Sequence, residues 1–321
     1  MAIALVRFIP TDTDIPFIKQ RFAAFAVSTL LILGSIGAFF TLGLNLGIDF
    51  RGGTLIEIQT QDDADIAEIR GSLDALGLGD IQVQGFGAPN EVLIRIEEVD
   101  VEDVNALEGF EVENAEEAQQ AARQAIQQRL SQTLPGVDYR RVEVVGPQVS
   151  GELVVAGATA VVVALFLMLV YIWFRFEWQY SVGAVIALTH DVIATIGFFA
   201  FTQLEFNLPT IAAILTIVGY SMNDTVVVYD RIREKFRKYK TAPTADVLNM
   251  AINKTLSRTI LTSGTTLVAV IALAVIGGPA LAGFALALIW GVIIGTYSSI
   301  FVAAPLLTLT GVKRESGEEQ S

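Results

Sequence analysis

Inside an apolar run that begins near residue 208, the stretch 219–231 reads GYSMNDTVVVYDR and sets Asn223 and Asp224 among residues suited to lipid. A carboxylate at membrane depth costs from ~3 kcal/mol upward, so it persists where it is paired, lines a wet cavity or is neutral. Removal from water favours the neutral acid, and such a group can take up and release protons near neutral pH. Spacings of three and four place Tyr220, Ser221, Thr225 and Val228 beside Asp224, a small and polar face that does not look at lipid. The chemistry on offer is reversible protonation. The plainer alternative is a hydrogen bond that ties two helices together.

Two other places carry ionisable groups in or beside apolar runs. His190 and Asp191 stand in mid-run, and an intramembrane ionisable pair is a site hypothesis by default. A structural hydrogen bond between the two is the favoured alternative. Arg258 opens the run LSRTILTSGTT, where it either snorkels to water as an anchor or turns toward Asp224. A cation near a carboxylate opposes the effect of desolvation, which would poise the proton between bound and free. Thr259, Thr262, Ser263, Gly264, Thr265 and Thr266 continue from it as a polar, small-residue wall.

Other chemistries are disfavoured. The chain has no cysteine and one histidine, so thiolate and His-rich metal sites are excluded and no metal site is expected. There is no GxxxxGK[ST] loop for an ATP-driven pump and no paired catalytic set for an intramembrane protease. The expectation is a transport component, not an enzyme.

The elements that must position these groups follow from hydropathy. The 321 residues are 53% hydrophobic and 17% charged, with mean hydropathy +0.56, the composition of a polytopic membrane protein. Six runs are long enough to cross a core of ~30 Å as helices: 22–42, 153–174, 180–202, 208–229, 259–276 and 281–307. The first follows Arg7, Lys19 and Arg21 but lacks a small-residue cleavage site, so it reads as a retained anchor. Segment 231–258 carries Arg231, Arg233, Lys235, Arg237, Lys238, Lys240, Lys254 and Arg258 against Glu234 and Asp246, which keeps it cytoplasmic. Segment 47–150 has no lysine, seven arginines and about three times as many acids, which places it outside. Both termini are then inside, with an N-terminal arm 1–21 and a tail 310–321 that begins with Lys313 and Arg314. The net charge of −13 belongs mostly to the outer segment and argues against nucleic acid as a partner.

The outer segment, taken as 43–152, reads as one folded domain. GIDFRGG at 47–53 gives a tight exit from the first helix, with Arg51 at the interface. Residues 54–60 alternate as a half-buried strand, and 62–76 have helical periodicity. Residues 81–86 and 92–96 read as strands joined by a turn at 87–90. A second helix spans 115–134, stopped by Pro135 and Gly136, and a last strand spans 139–145. The order β-α-β-β-α-β is the split-βαβ, ferredoxin-like pattern. The acidic link 100–114 reads as loop, and the carboxylates of this domain as a solvated face more than a divalent-ion surface.

In VGPQVSGEL at 145–153, Pro147 and Gly151 break regular structure, either as a hinge or as an ordinary linker. Trp173 and Trp178 flank Arg175 and Glu177 as an aromatic belt around a short inside turn. Between 244 and 256, Val247, Leu248, Ala251, Ile252 and Leu256 recur at helical spacing, as in an amphipathic helix lying on the inner face. Gly291 and Gly295 have GxxxG spacing, which permits close helix packing.

Five of these motifs occur together in order: GIDFRGG, VGPQVSGEL, LTHDV, GYSMNDTVVVYDRIRE and KTLSRTILTSGTT. They resemble the SecF family of bacterial protein-translocase subunits, within the resistance-nodulation-division (RND) superfamily, over nearly the whole chain. The resemblance implies a membrane α-helical bundle of six transmembrane helices, an RND-type half, with a periplasmic α+β ferredoxin-like domain. It implies an accessory role in the Sec pathway: with SecD, and beside the SecYEG channel, the chain would use the proton motive force to promote export of unfolded preproteins across the inner membrane. No cofactor beyond the proton gradient, and no partner beyond these proteins and membrane lipid, is implied. The proton-pathway residues of the NDT and SRT motifs map onto Asp224 and Arg258, with Asn223, Ser221, Thr225, His190 and Asp191 as possible accessories. Half of an RND-type small-molecule or lipid exporter is the alternative.

Overall fold

The computed structural model describes residues 13–311; most of the N-terminal arm, with Arg7, and the tail from residue 312, with Lys313 and Arg314, lie outside the described residues. Six helices are long and apolar enough to cross a membrane. The first, α1 (Arg21–Leu42), is entered through a 3-10 turn at Phe17–Gln20. The second is α6 (Pro147–Arg175), the third α7 (Trp178–Thr202), the fourth α8 (Leu208–Lys238) and the fifth α9 (Thr244–Ile276). The sixth combines α10 (Pro279–Ser298), a π-helical turn at Ser299–Ala303 and α11 (Ala304–Thr310).

Three of the spans are central. In their most apolar windows, α7, α8 and the sixth span are 61%, 50% and 56% buried, against 17%, 6% and 11% for α1, α6 and α9. Large side chains such as Phe22, Leu30 and Phe40 on α1, Phe166 and Phe174 on α6 and Val268 and Val275 on α9 face outward, as side chains against lipid tails do. The central core includes Tyr180, Leu188, Ile214, Met222, Val228, Tyr229 and Ile300.

The helices run further than hydropathy predicts. Segment 231–258 is mostly helix: α8 continues to Lys238 and α9 begins at Thr244. The expected surface helix at 244–256 is therefore the first part of α9, continuous with the fifth span. Its apolar residues Val247, Leu248, Ala251 and Ile252 are fully buried in the bundle core. They pack against protein, which leaves no face for a membrane surface. The end of the N-terminal arm docks here too, with Asn253 Oδ1 accepting from Ile15 N at 2.9 Å and Asn249 Oδ1 from Ile18 N at 2.9 Å. Pro147 and Gly151 do not break regular structure: Pro147 occupies the first turn of α6, where a missing N–H costs nothing, and the helix passes through Gly151 without interruption.

The segment between α1 and α6 begins with a short helix, α2 (Ile48–Arg51), and holds a four-stranded antiparallel sheet. In chain order it contains β1 (Gly53–Gln59), α3 (Ile66–Asp74), β2 (Ile81–Phe86), β3 (Ala88–Ile96), α4 (Val101–Asn105), α5 (Ala115–Thr133) and β4 (Asp138–Val145). The strands lie in the order β2-β3-β1-β4. Asp65 caps α3 by accepting from Ala67 N and Glu68 N, and Asn114 caps α5 by accepting from Glu117 N, each satisfying otherwise orphaned donors. One sheet face, with Ile56, Ile58, Ile94 and Ile96, packs against Ile69, Leu73, Ala122 and Ile126 of α3 and α5. The other buries Leu55 and Leu93 against Ile48 of α2, so β1 is covered on both faces rather than half-buried.

Two local expectations fail for identifiable reasons. The turn between β2 and β3 is Gly87 alone, at φ 85°, with Ala88 already in the strand; a positive φ at glycine lets the chain reverse in one residue. The acidic link holds α4, anchored by fully buried Val104. Gly53, at φ 118°, lies where a side chain would strike the carbonyl of Ile96.

This sheet domain is tied to the corner before α8. Gly47 N donates to Phe206 O and Phe206 N to Asn45 O, each at 2.8 Å. Leu208 N donates to Asp49 Oδ2 at 2.8 Å.

Candidate functional site

The predicted face of α8 does point inward. Ser221, Asp224, Thr225 and Val228 are buried, as spacings of three and four require. Asp224 accepts two hydrogen bonds, one from each neighbouring span: Thr259 Oγ1 of α9 donates to Oδ1 at 2.7 Å, and Ser299 Oγ donates to Oδ2. One turn away, Tyr220 donates to Ser263 Oγ at 3.1 Å, and Ser263 meets Thr296 Oγ1 at 2.7 Å. These contacts join α8, α9 and α10 through hydroxyls around one acid.

Other predicted residues are placed differently. Arg258 is exposed, and no ion pair joins it to Asp224 among the described residues. Asn223 is exposed as well, one position round the helix from the inward face. Thr225 is buried beside the acid without a hydrogen bond to it. The polar wall on α9 divides by helical period: Thr259 and Ser263 face inward, whereas Thr262 and Thr265 are exposed, and Thr265 and Thr266 bond carbonyls of their own helix.

The third span supplies a second acid. Asp191 is fully buried, with His190 Nδ1 2.9 Å from Oδ1, the expected bond between neighbours. Its Oδ2 accepts from Ser221 Oγ at 2.6 Å and from Ser298 Oγ at 2.7 Å. Ser298 and Ser299 are thus consecutive residues that serve different acids on different helices. They stand where α10 passes into the π-helical turn, a distortion that often occurs at functional positions.

Neither serine was singled out from the sequence. The available signal was the pair of adjacent hydroxyls after Tyr297 in an otherwise apolar run. Spacing on one helix cannot tell which acid on another helix they meet. The GxxxG glycines set that distance: a side chain at Gly291 would overlap Ile217, and one at Gly295 would lie 3.0 Å from Ser221 Cβ. Close packing of α10 on α8 is what those glycines do.

Comparison with known proteins agrees with this architecture. The family model described as "Protein export membrane protein SecD/SecF, C-terminal" matches residues 125–313, and the SecD/SecF GG motif matches residues 37–64. The protein translocase subunit SecF of Cereibacter sphaeroides is 43% identical over 98% of this chain and 95% of its own length. That of Vibrio alginolyticus is 44% identical over 97% of this chain and 94% of its own. Among solved structures, the translocon-associated membrane protein SecDF of Thermus thermophilus superposes with TM-score 0.80 at 34% identity, covering 94% of this chain. SecDF in a super-membrane-facing form gives TM-score 0.66 at 35% identity. This chain spans 39% of each of those SecDF chains. With near full-length identity above two fifths and a family model over more than half its residues, the chain belongs to the SecF family of protein translocase subunits.

Proposed function

We propose that this chain works with a SecD-type partner and uses the proton motive force to promote export of unfolded preproteins through the SecYEG channel, with the proton carried by Asp224. The observation that carries the proposal is a carboxylate inside the bundle held by hydroxyls from two neighbouring spans, with no cation in contact among the described residues. Hydroxyls can donate to the ionised acid and accept from the neutral one, so both states are accommodated. An ion-paired acid would be held in one state.

In this reading the chain lies in the inner membrane with both termini in the cytoplasm. The sheet domain is a ferredoxin-like module on the periplasmic side, an assignment supported by its β-α-β-β-α-β order and the strand order β2-β3-β1-β4. A proton entering from the periplasm neutralises Asp224 and leaves on the cytoplasmic side. Arg258 shapes the exit by its charge rather than by contact. Each proton moving down 100 mV releases ~2.3 kcal/mol, enough to bias a two-state movement of the domain but not to unfold a protein.

The need for a partner is supported by polar groups on the outside of the bundle. Thr216 and Asn223 of α8 and Thr262 and Thr265 of α9 are exposed within apolar spans. Such groups face another protein or a wet cavity rather than lipid. A second helical bundle of the same superfamily, as in an RND pair, would cover them. The gradient alone drives the cycle, without a bound cofactor.

The test is Asp224→Asn, which keeps the shape and removes the titration. Export assayed in membrane vesicles with and without a proton gradient should lose its gradient-dependent component. Gradient-dependent export at the original level would end the proposal.

A further inference from the structure

Asp191 and His190 form a second buried ionisable set beside the one the proposed function uses. His190 is 5% exposed, and its Nε2 has no hydrogen-bond partner among the described residues. A buried polar atom left unpaired is costly, which gives that nitrogen reason to engage something else. The ring lines a cleft of about 440 Å³ between α1, α7 and the end of the sixth span, whose wall is mostly apolar and includes Ser28, Thr29 and Thr189. His190 therefore stands between the cleft on one side and Asp191 on the other.

We propose that His190 and Asp191 are a second proton-carrying site, coupled to Asp224 through the adjacent hydroxyls of Ser298 and Ser299. The proposal rests on Asp224 being a working acid and adds a second carrier to it. With the imidazole proton on Nδ1, a proton arriving from the cleft binds Nε2, and the Nδ1 proton passes to Oδ1 of Asp191. The imidazole ends as the other neutral tautomer and the carboxylate as the neutral acid. Protonation on Oδ1 leaves Oδ2 a neutral carbonyl oxygen, which holds the two serine donors more weakly than the carboxylate did. Ser298 is the neighbour of Ser299, which donates to Asp224, and Ser221 lies one turn before Asp224 on α8. A change of charge at one acid thereby alters the donors available to the other.

The titratable groups facing this set are few. Tyr297 from α10 has its ring centroid 6.1 Å from that of His190, Asp224 lies one turn from the Ser221 that donates to Asp191, and Tyr220 of α8 is turned instead to Ser263. Arg21 and Arg175 stand at the ends of α1 and α6, and Arg258 lies on α9. The opposing view makes Asp191 a permanently ionised acceptor that ties α7, α8 and α10 together.

Infrared difference spectroscopy of the purified full-length chain, titrated over pH, separates the two. The wild type should give a protonated-carboxyl band that Asp191→Asn removes and Asp191→Glu moves; the glutamate variant serves where the asparagine variant does not fold. Asp224→Asn should remove a different band and move the titration midpoint of the Asp191 band by about one pH unit or more, as for interacting sites. If Asp191→Glu leaves every titrating band in place, Asp191 keeps one protonation state and the proposal is overturned. An Asp191 midpoint unmoved by Asp224→Asn overturns the coupling. Absence of any Asp224 band would instead sink the proposed function, a separate outcome.

Discussion

Arg95 on β3 and Glu205 in the corner between α7 and α8 meet at 2.6 Å, with side chains 14% and 29% exposed. The same corner carries the backbone contacts of Asn45 and Gly47 with Phe206 and of Leu208 with Asp49. Helix α8 starts at this corner and carries Asp224 about 24 Å further along, at 1.5 Å per residue. The start of α8 is therefore held against the sheet domain at Arg95.

Reversing one charge in this pair should uncouple the two parts. Arg95→Glu and Glu205→Arg each leave a partly buried charge beside a like charge, which is destabilising. Each should lower gradient-dependent export several-fold, and the double swap should recover part of the loss, the mark of a direct interaction. A double variant no better than the worse single would mean that the pair is incidental.

Removing a donor from Asp224 tests the hydroxyl cage. Ser299→Ala and Thr259→Ala each delete one hydrogen bond to a carboxyl group, worth about 1.5–3 kcal/mol when the acid is charged. Each should shift the pH dependence of export, whereas Thr259→Ser, which keeps the hydroxyl, should restore the original profile. A profile that ignores both alanine variants would show that these bonds are not part of the proton-holding site.

The first half of α9 illustrates what the sequence could and could not reveal. The spacing of Val247, Leu248, Ala251 and Ile252 makes a helix legible, but a face buried in protein and a face laid on a membrane have the same periodicity. Leu248→Ala separates them. In the bundle it should cost about 2–5 kcal/mol and lower the unfolding temperature in detergent clearly; on a lipid surface the change would be close to neutral.

Asn223 shows the same limit at the site itself. Its neighbour Asp224 points inward and the amide points out, and the pairing of the two in sequence hides the 100° between them. Because the chain has no cysteine, Asn223→Cys gives a single reactive position. Oxidation in native membranes containing single-cysteine variants of the proposed SecD partner should yield a specific disulfide-linked species. A Thr54→Cys control inside the sheet core should not. Equal cross-linking by both would argue against a partner surface on α8.

Which acid each serine serves depends on how α10 sits against α7 and α8, a placement that no single helix encodes. Gly295 sets it, since a Cβ there would lie 3.0 Å from Ser221 Cβ, and Ser221 itself donates to Asp191. Gly295→Val should push the two helices apart and lengthen the bonds from Ser298 to Asp191 and from Ser299 to Asp224 together. Because overpacking costs typically 1–3 kcal/mol, the variant should still assemble, with both carboxyl infrared bands shifted. Should only one band move, the two acids are positioned independently, and the Ser298 to Ser299 step does not link them.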